Sequence, residues 1–198
     1  MLMNSLEENK KRIMAFFELD KLSEPKQIYI APNRLDYQKH MEELCEGQPG
    51  WHYQDWMVAD TIDGDINILN LECYRATVAH KNMDIEAYKK VVVHEFVHSC
   101  QQQVYDNSYG VGWYWEALAT NLAEQLYSET RIECDGEELS FEFFGLAEGY
   151  LYANNLGKYM LKTYPHTKIL EYVKEPQKLM SQVQQIIDDY NLLYDKTH

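Results

Sequence analysis

Basic residues are scarce in this chain: 18 Lys and Arg stand against 32 Asp and Glu, a net charge of −14. That balance excludes a basic face for nucleic acid and disfavours docking on anionic lipid. It suits a divalent cation or a basic substrate. No apolar run approaches transmembrane length. The opening stretch, "MLMNSLEENKKRIMAFFELD", is interrupted by charge too often for the apolar region of a secretory signal, and reads as an amphipathic helix. The four cysteines, Cys45, Cys73, Cys100 and Cys134, form no C-x-x-C pair and no zinc-ribbon spacing. Free thiols in a reducing cytoplasm are the expectation. Repeats and low-complexity segments are also absent. What remains is a 198-residue chain, 45% apolar and 25% charged, long enough for one well-cored domain or two small lobes sharing a cleft.

The elements change character along the chain. "KQIYIAP" reads as a short strand closed by Pro32, and "RLDYQKHMEELCEG" as a helix ending at Gly47. "WHYQDWMVADTIDGDINILNLECY" reads as a hairpin turning at Asp63-Gly64. The spacing of Asp60, Asp63 and Asp65 does not fit an EF-hand. "MDIEAYKKVVVHEFVHSCQQQV" is a helix with Asp84 as its N-cap, broken by "DNSYGVG". "WYWEALATNLAEQLYSE" and "GEELSFEFFGLAEGYLYANNLGKYMLKTYP" read as further helices, the latter with a bend near Gly149. One or two last helices break around Pro176. The fold class is therefore α+β: an N-terminal α/β lobe over about 1–104, a helical lobe over about 112–198, and a cleft near 104–112.

"VVVHEFVHSC" sets three ionisable side chains, His94, Glu95 and His98, in a run of valines. Burying them costs several kcal/mol unless something satisfies them. Residues four apart on a helix differ by only about 40° in direction and about 6 Å along the axis. His94 and His98 thus point the same way and can hold one zinc ion, while Glu95 projects beside the metal and can take a proton from water there. A catalytic zinc has three protein ligands and an open position. Glu116 follows His98 by 18 residues. The helix runs about 8 Å past His98, the chain turns, and Glu116 comes about one turn into the next helix, so it can reach back as third ligand.

"HEFVH" followed by "WYWEALA" resembles the gluzincin zinc metallopeptidases, the group of thermolysin and the membrane-alanyl-type aminopeptidases. Trp113, Glu116, Leu118 and Ala119 match the W-x-x-E-x-L-A segment of small, compact members, and the likeness spans roughly residues 54–165. It implies a single zincin-like catalytic domain over residues 1–198: a small mixed sheet, the active-site helix and a mostly helical C-terminal lobe. It implies one zinc per chain held by His94, His98 and Glu116, with Glu95 as general base in peptide hydrolysis. A strand of the 54–71 hairpin would form the rim of the cleft and pair with an extended peptide. By the same likeness a downstream tyrosine steadies the oxyanion; Tyr152 matches best, then Tyr150, then His166. Relatives place an acidic residue one turn after the glutamate ligand; here that position is Thr120, with Asn121 or Glu124 as substitutes. No Gly-x-Met-Glu-Asn segment is present, which tilts the reading toward an endopeptidase. The expected partner is a peptide or protein substrate, with no nucleic acid and no membrane, in the cytoplasm.

The bland readings weigh against this. HExxH can arise by chance on an amphipathic helix. His40, His52, His80, His166 and His198 read as surface or locally bonded histidines, and Cys100 as a small buried apolar residue pointing away from His98. Trp113 and Trp115 read as packing at a helix start. A second function class also fits: a zinc-bound but weakly active protein that binds a partner in the same cleft.

Overall fold

The computed structural model describes residues 2–22, 27–48, 51–108, 110–125, 127, 131–139 and 147–195. Most of these are helical, and the strands form one three-stranded mixed sheet, so the class is α+β. The chain divides into two compact units, Met1–Gln103 and Val104–His198. Among the described residues no helix is long and apolar enough to cross a membrane.

In the first unit, α1 (Leu2–Phe16) buries Leu6 and Ile13, seven residues apart on one stripe, and Phe17 just past its end. β1 (Ile28–Ala31) leads through Pro32 to α2 (Arg34–Leu44), where the Asn33 side chain accepts the Asp36 N–H at 2.9 Å as an N-cap. β2 (Ala59–Ile62) and β3 (Asp65–Leu69) form the expected hairpin. Its turn residues, Asp63 (φ 51°) and Gly64 (φ 79°), both take the positive φ that a tight two-residue loop demands. β3 is central, parallel to β1 and antiparallel to β2, so among the described residues β2 is an edge strand. One sheet face, with Tyr29, Ala31, Val58, Ile62 and Leu69, packs with Tyr37, Met41 and Cys45.

The hairpin does not extend to Tyr74 as its sequence suggested. Asn70 caps a short helix, α3 (Leu71–Ala76), by accepting the Cys73 N–H at 2.8 Å. An N-cap competes locally with strand pairing, and here it wins. After a single 3₁₀ turn comes α4 (Ile85–Val104), with Asp84 accepting the Ala87 N–H at 2.8 Å as the sequence predicts.

The second unit is helical: α5 (Gly112–Leu122), a 3₁₀ turn at Glu137–Leu139, α6 (Ala147–Thr163), α7 (His166–Lys174) and α8 (Pro176–Asp195). α5 ends earlier than its Ala- and Leu-rich sequence suggests. Glu124 adopts φ 56°, Gln125 N–H bonds Thr120 O at 2.9 Å, and Glu124 N–H bonds Asn121 O at 3.1 Å. This is a Schellman stop with glutamate where glycine is usual, so the sequence carries no glycine to announce it. The long helix read from Gly136 is instead the 3₁₀ turn and, beyond residues 140–146, which lie outside those described, α6. Gly149 falls in the first turn of α6 rather than at an internal bend. Gly157 permits close packing of α6 on α5: a Cβ there would meet Asn121 Nδ2 at 2.7 Å and Ala117 O at 2.8 Å. Buried tyrosines tie the rest together, with Tyr114 donating to Ile169 O at 2.8 Å and Tyr172 to Gln182 Oε1 at 2.6 Å.

Candidate metal centre

α4 carries two working stripes. Tyr88, Glu95, Ser99 and Gln102 fall within about 60° of one another around the axis, and each is bonded to the hairpin or its end. Tyr88 donates to Leu69 O at 2.5 Å, Ser99 Oγ to Gly64 O at 2.8 Å and Gln102 Nε2 to Thr61 O at 2.9 Å, while Gln102 Oε1 accepts Gly64 N–H at 2.7 Å. Glu95 Oε2 lies 2.8 Å from the Thr61 hydroxyl. This seam satisfies polar groups that a valine-rich helix could not otherwise bury. His94, His98 and Gln101 form the second stripe, His94 standing one residue, about 100°, round from Glu95.

The His94 and His98 Nε2 atoms are 3.0 Å apart, their rings nearly perpendicular. Two nitrogens bound tetrahedrally to a zinc at about 2.0–2.1 Å would stand roughly 3.3 Å apart. The pair is thus close to ligand spacing. His98 Nδ1 is 2.7 Å from Gln101 Oε1. A carbonyl oxygen only accepts, so Nδ1 carries the proton and, in the neutral ring, His98 Nε2 holds a lone pair ready for a cation. His94 is buried, whereas His98 and Glu116 are half-buried. Glu116 sits in the second turn of α5. One ligand atom from each of His94, His98 and Glu116 lies within 4.8 Å of the others, so the three could hold a metal ion. Two imidazoles and a carboxylate are a donor set suited to such an ion. Asp60, Asp63 and Asp65 join no such group among the described residues.

Thr120, Asn121 and Glu124 are the residues that the likeness offered as supports for a ligand histidine. Thr120, expected to support a ligand histidine, donates its hydroxyl to Glu116 O at 2.8 Å on its own helix. Asn121 donates to Ala117 O at 2.7 Å and Asn154 O at 3.0 Å, which commits it to α5–α6 packing. Glu124 is the exposed residue of the helix stop. The partner of His98 is Gln101, fully buried and one turn along the same helix. The "SCQQQV" stretch held that signal, since residues three apart on a helix are neighbours. Thr61 is the other residue sequence reasoning missed; nothing local marks which strand threonine faces a helix.

Tyr152 and Tyr150 lie in α6 and His166 begins α7. Seven residues bring a helix back to within about 20°, so Tyr150 lies on the side of Gly157 that meets α5, and Tyr152 stands about 140° round from it. Tyr150 stacks on Tyr127 with ring centroids 6.1 Å apart. Tyr37, buried in α2, finds no hydrogen-bond partner for its hydroxyl among the described residues. Burial, then the Asp60 and Glu95 carboxylates, push its pKa up and keep the phenol neutral.

Two other histidines are locally bonded. His40 bonds Asn67 Oδ1 at 2.7 Å beside the Tyr29 ring, and His80 bonds the Thr77 hydroxyl at 2.8 Å. Cys100, Trp113 and Trp115 are buried, and none of the four cysteines is in a disulfide. No protein-family profile, curated protein or solved structure matches the chain.

Proposed function

We propose that this chain is a zinc-dependent peptidase of zincin-like fold, related in its site to the gluzincins and acting as an endopeptidase. The observation that carries the reading is the grouping of His94, His98 and Glu116 ligand atoms within 4.8 Å, with Glu95 on the next position of the same helix. His94 and His98 would bind one zinc ion through Nε2, and Glu116 through a carboxylate oxygen. A zinc ion there supplies Lewis acidity and lowers the pKa of water from about 15.7 to roughly 7.

The chain's own residues then do the proton work. Glu95 takes a proton from the attacking water and delivers it to the leaving amine nitrogen. One C–O bond forms, the C–N bond breaks, and the remaining proton leaves the new carboxylic acid. Tyr152, Tyr150 and His166 are the candidate oxyanion donors. Tyr150 gains support from its place on the side of α6 that packs on α5. On β2, the Val58–Leu69 bond sets the pairing phase, so Ala59 and Thr61 turn their backbone groups away from β3. An extended peptide could add there.

One observation favours the alternative, a zinc-bound regulatory protein of low activity. The outward carbonyl of Thr61 already accepts the Gln102 side chain, which shortens the strand edge left for a substrate. Metal analysis with a peptide-library digest separates the two. Zinc with cleavage that Glu95→Gln abolishes supports the peptidase; zinc without cleavage supports the regulator; cleavage of a single protein supports a regulatory protease.

A further inference from the structure

We propose that Thr61 is the positioning residue for Glu95: its hydroxyl holds Glu95 Oε2 and leaves Oε1 for the proton transfer. This rests on the reading of Glu95 as general base. Thr61 sits on the edge strand β2 with 5% of its surface exposed, and Glu95 has 6%. The hydroxyl has one proton and two acceptors in reach, Glu95 Oε2 at 2.8 Å and Glu95 backbone O at 2.9 Å. That backbone oxygen lies within α4, four residues before Ser99, and already serves the helix ladder. A carboxylate is the stronger acceptor, so the proton goes to Oε2.

The surroundings make the contact rigid. A β-branched side chain on a strand has few rotamers, so the Thr61 hydroxyl is aimed by its backbone. That backbone is itself fixed to α4, because Gln102 Nε2 bonds Thr61 O while Gln102 Oε1 and Ser99 Oγ bond Gly64 across the turn. The seam thus sets the strand and the base as one piece. A strand residue that binds the base directly also ties any peptide seated beside Ala59 to the orientation of Glu95.

The test uses the full chain with Thr61→Val, Thr61→Ser and Glu95→Gln. Thr61→Val keeps the shape and deletes the hydroxyl. It is expected to lower kcat roughly 10- to 100-fold with KM unchanged, since a misplaced base weakens the transition state and not substrate binding. Thr61→Ser should restore most of the rate, and Thr61→Val should add no further loss in the Glu95→Gln background. A merely structural role would move KM or give no rescue. A second readout needs no activity: unfolding of the metal-free chain in a cycle of Thr61→Val and Glu95→Leu. The threonine change should reduce the folding equilibrium constant about 10-fold beside Glu95 and far less in the Glu95→Leu background. Absence of coupling in that cycle, or an unchanged kcat in Thr61→Val, overturns the proposal. Coupling in a chain that binds zinc and cleaves nothing overturns the peptidase reading instead, and leaves Thr61 as the residue that holds Glu95.

Discussion

α4 and α5 are both helices rich in apolar residues that carry polar ones, and their polar residues bond to different parts of the molecule. On α4, Tyr88, Glu95, Ser99 and Gln102 reach off the helix to the hairpin or its end, while buried Gln101 bonds His98 along it. On α5, Thr120 and Asn121 bond the carbonyls of Glu116 and Ala117 on their own helix, and the bonds that leave it, Asn121 to Asn154 O and Tyr114 to Ile169 O, run to other helices of the second unit. The difference shows where orientation is held. α4 carries two candidate ligands and a candidate base, and its side chains are fixed by a neighbouring strand and by Gln101. α5 carries one candidate ligand, Glu116, and is itself placed by packing, through the close approach of Gly157. Polar bonds orient the candidate site's side chains on the first helix; on the second, polar bonds and close packing place the helix itself.

Four substitutions can break or sharpen that contrast. The largest effect is expected from Glu95→Gln, which should reduce peptide hydrolysis about 10²- to 10⁴-fold while zinc content stays constant. Hydrolysis assays with metal analysis check it. Next, Gln101→Leu removes the acceptor that fixes the His98 tautomer, and zinc affinity should fall about 10- to 100-fold by competition titration. Gly157→Ala should then cost about 1–3 kcal/mol in urea unfolding, because the new methyl meets backbone at 2.8 Å, despite alanine's better helix propensity. The smallest effect belongs to Thr120→Val, since among the described residues its hydroxyl bonds carbonyls of its own helix; stability should change by about 1 kcal/mol or less, with zinc affinity unmoved. If Thr120→Val weakened zinc as much as Gln101→Leu, the contrast between the two helices would collapse.

Much of this was legible in the sequence, and the reasons are local. Asp63-Gly64 announces its hairpin because both residues tolerate positive φ, and Asp84 announces α4 because its carboxylate caps the third residue on. The pairing of His94 with His98 follows from helical spacing alone. What the sequence hid depended on contacts between distant segments or on unusual local residues. Thr61 meets Glu95 across 34 positions, and no periodicity encodes that. The stop of α5 uses a glutamate in a conformation usually left to glycine. α3 hid because Asn70 and an apolar run read equally well as the end of a strand. Gln101 was readable in principle, three residues past His98, but the likeness to zinc peptidases pointed to Thr120 on α5.

The central claim is that His94, His98 and Glu116 together hold one ion. Zinc titration of the full chain, with His98→Ala and Glu116→Ala alongside, tests it most directly. One equivalent of tightly bound zinc in the parent chain, lost in His98→Ala and weakened at least tenfold in Glu116→Ala, is the expected result. A folded parent chain that takes up no zinc, or a folded Glu116→Ala chain that binds it as tightly as the parent, would contradict the account.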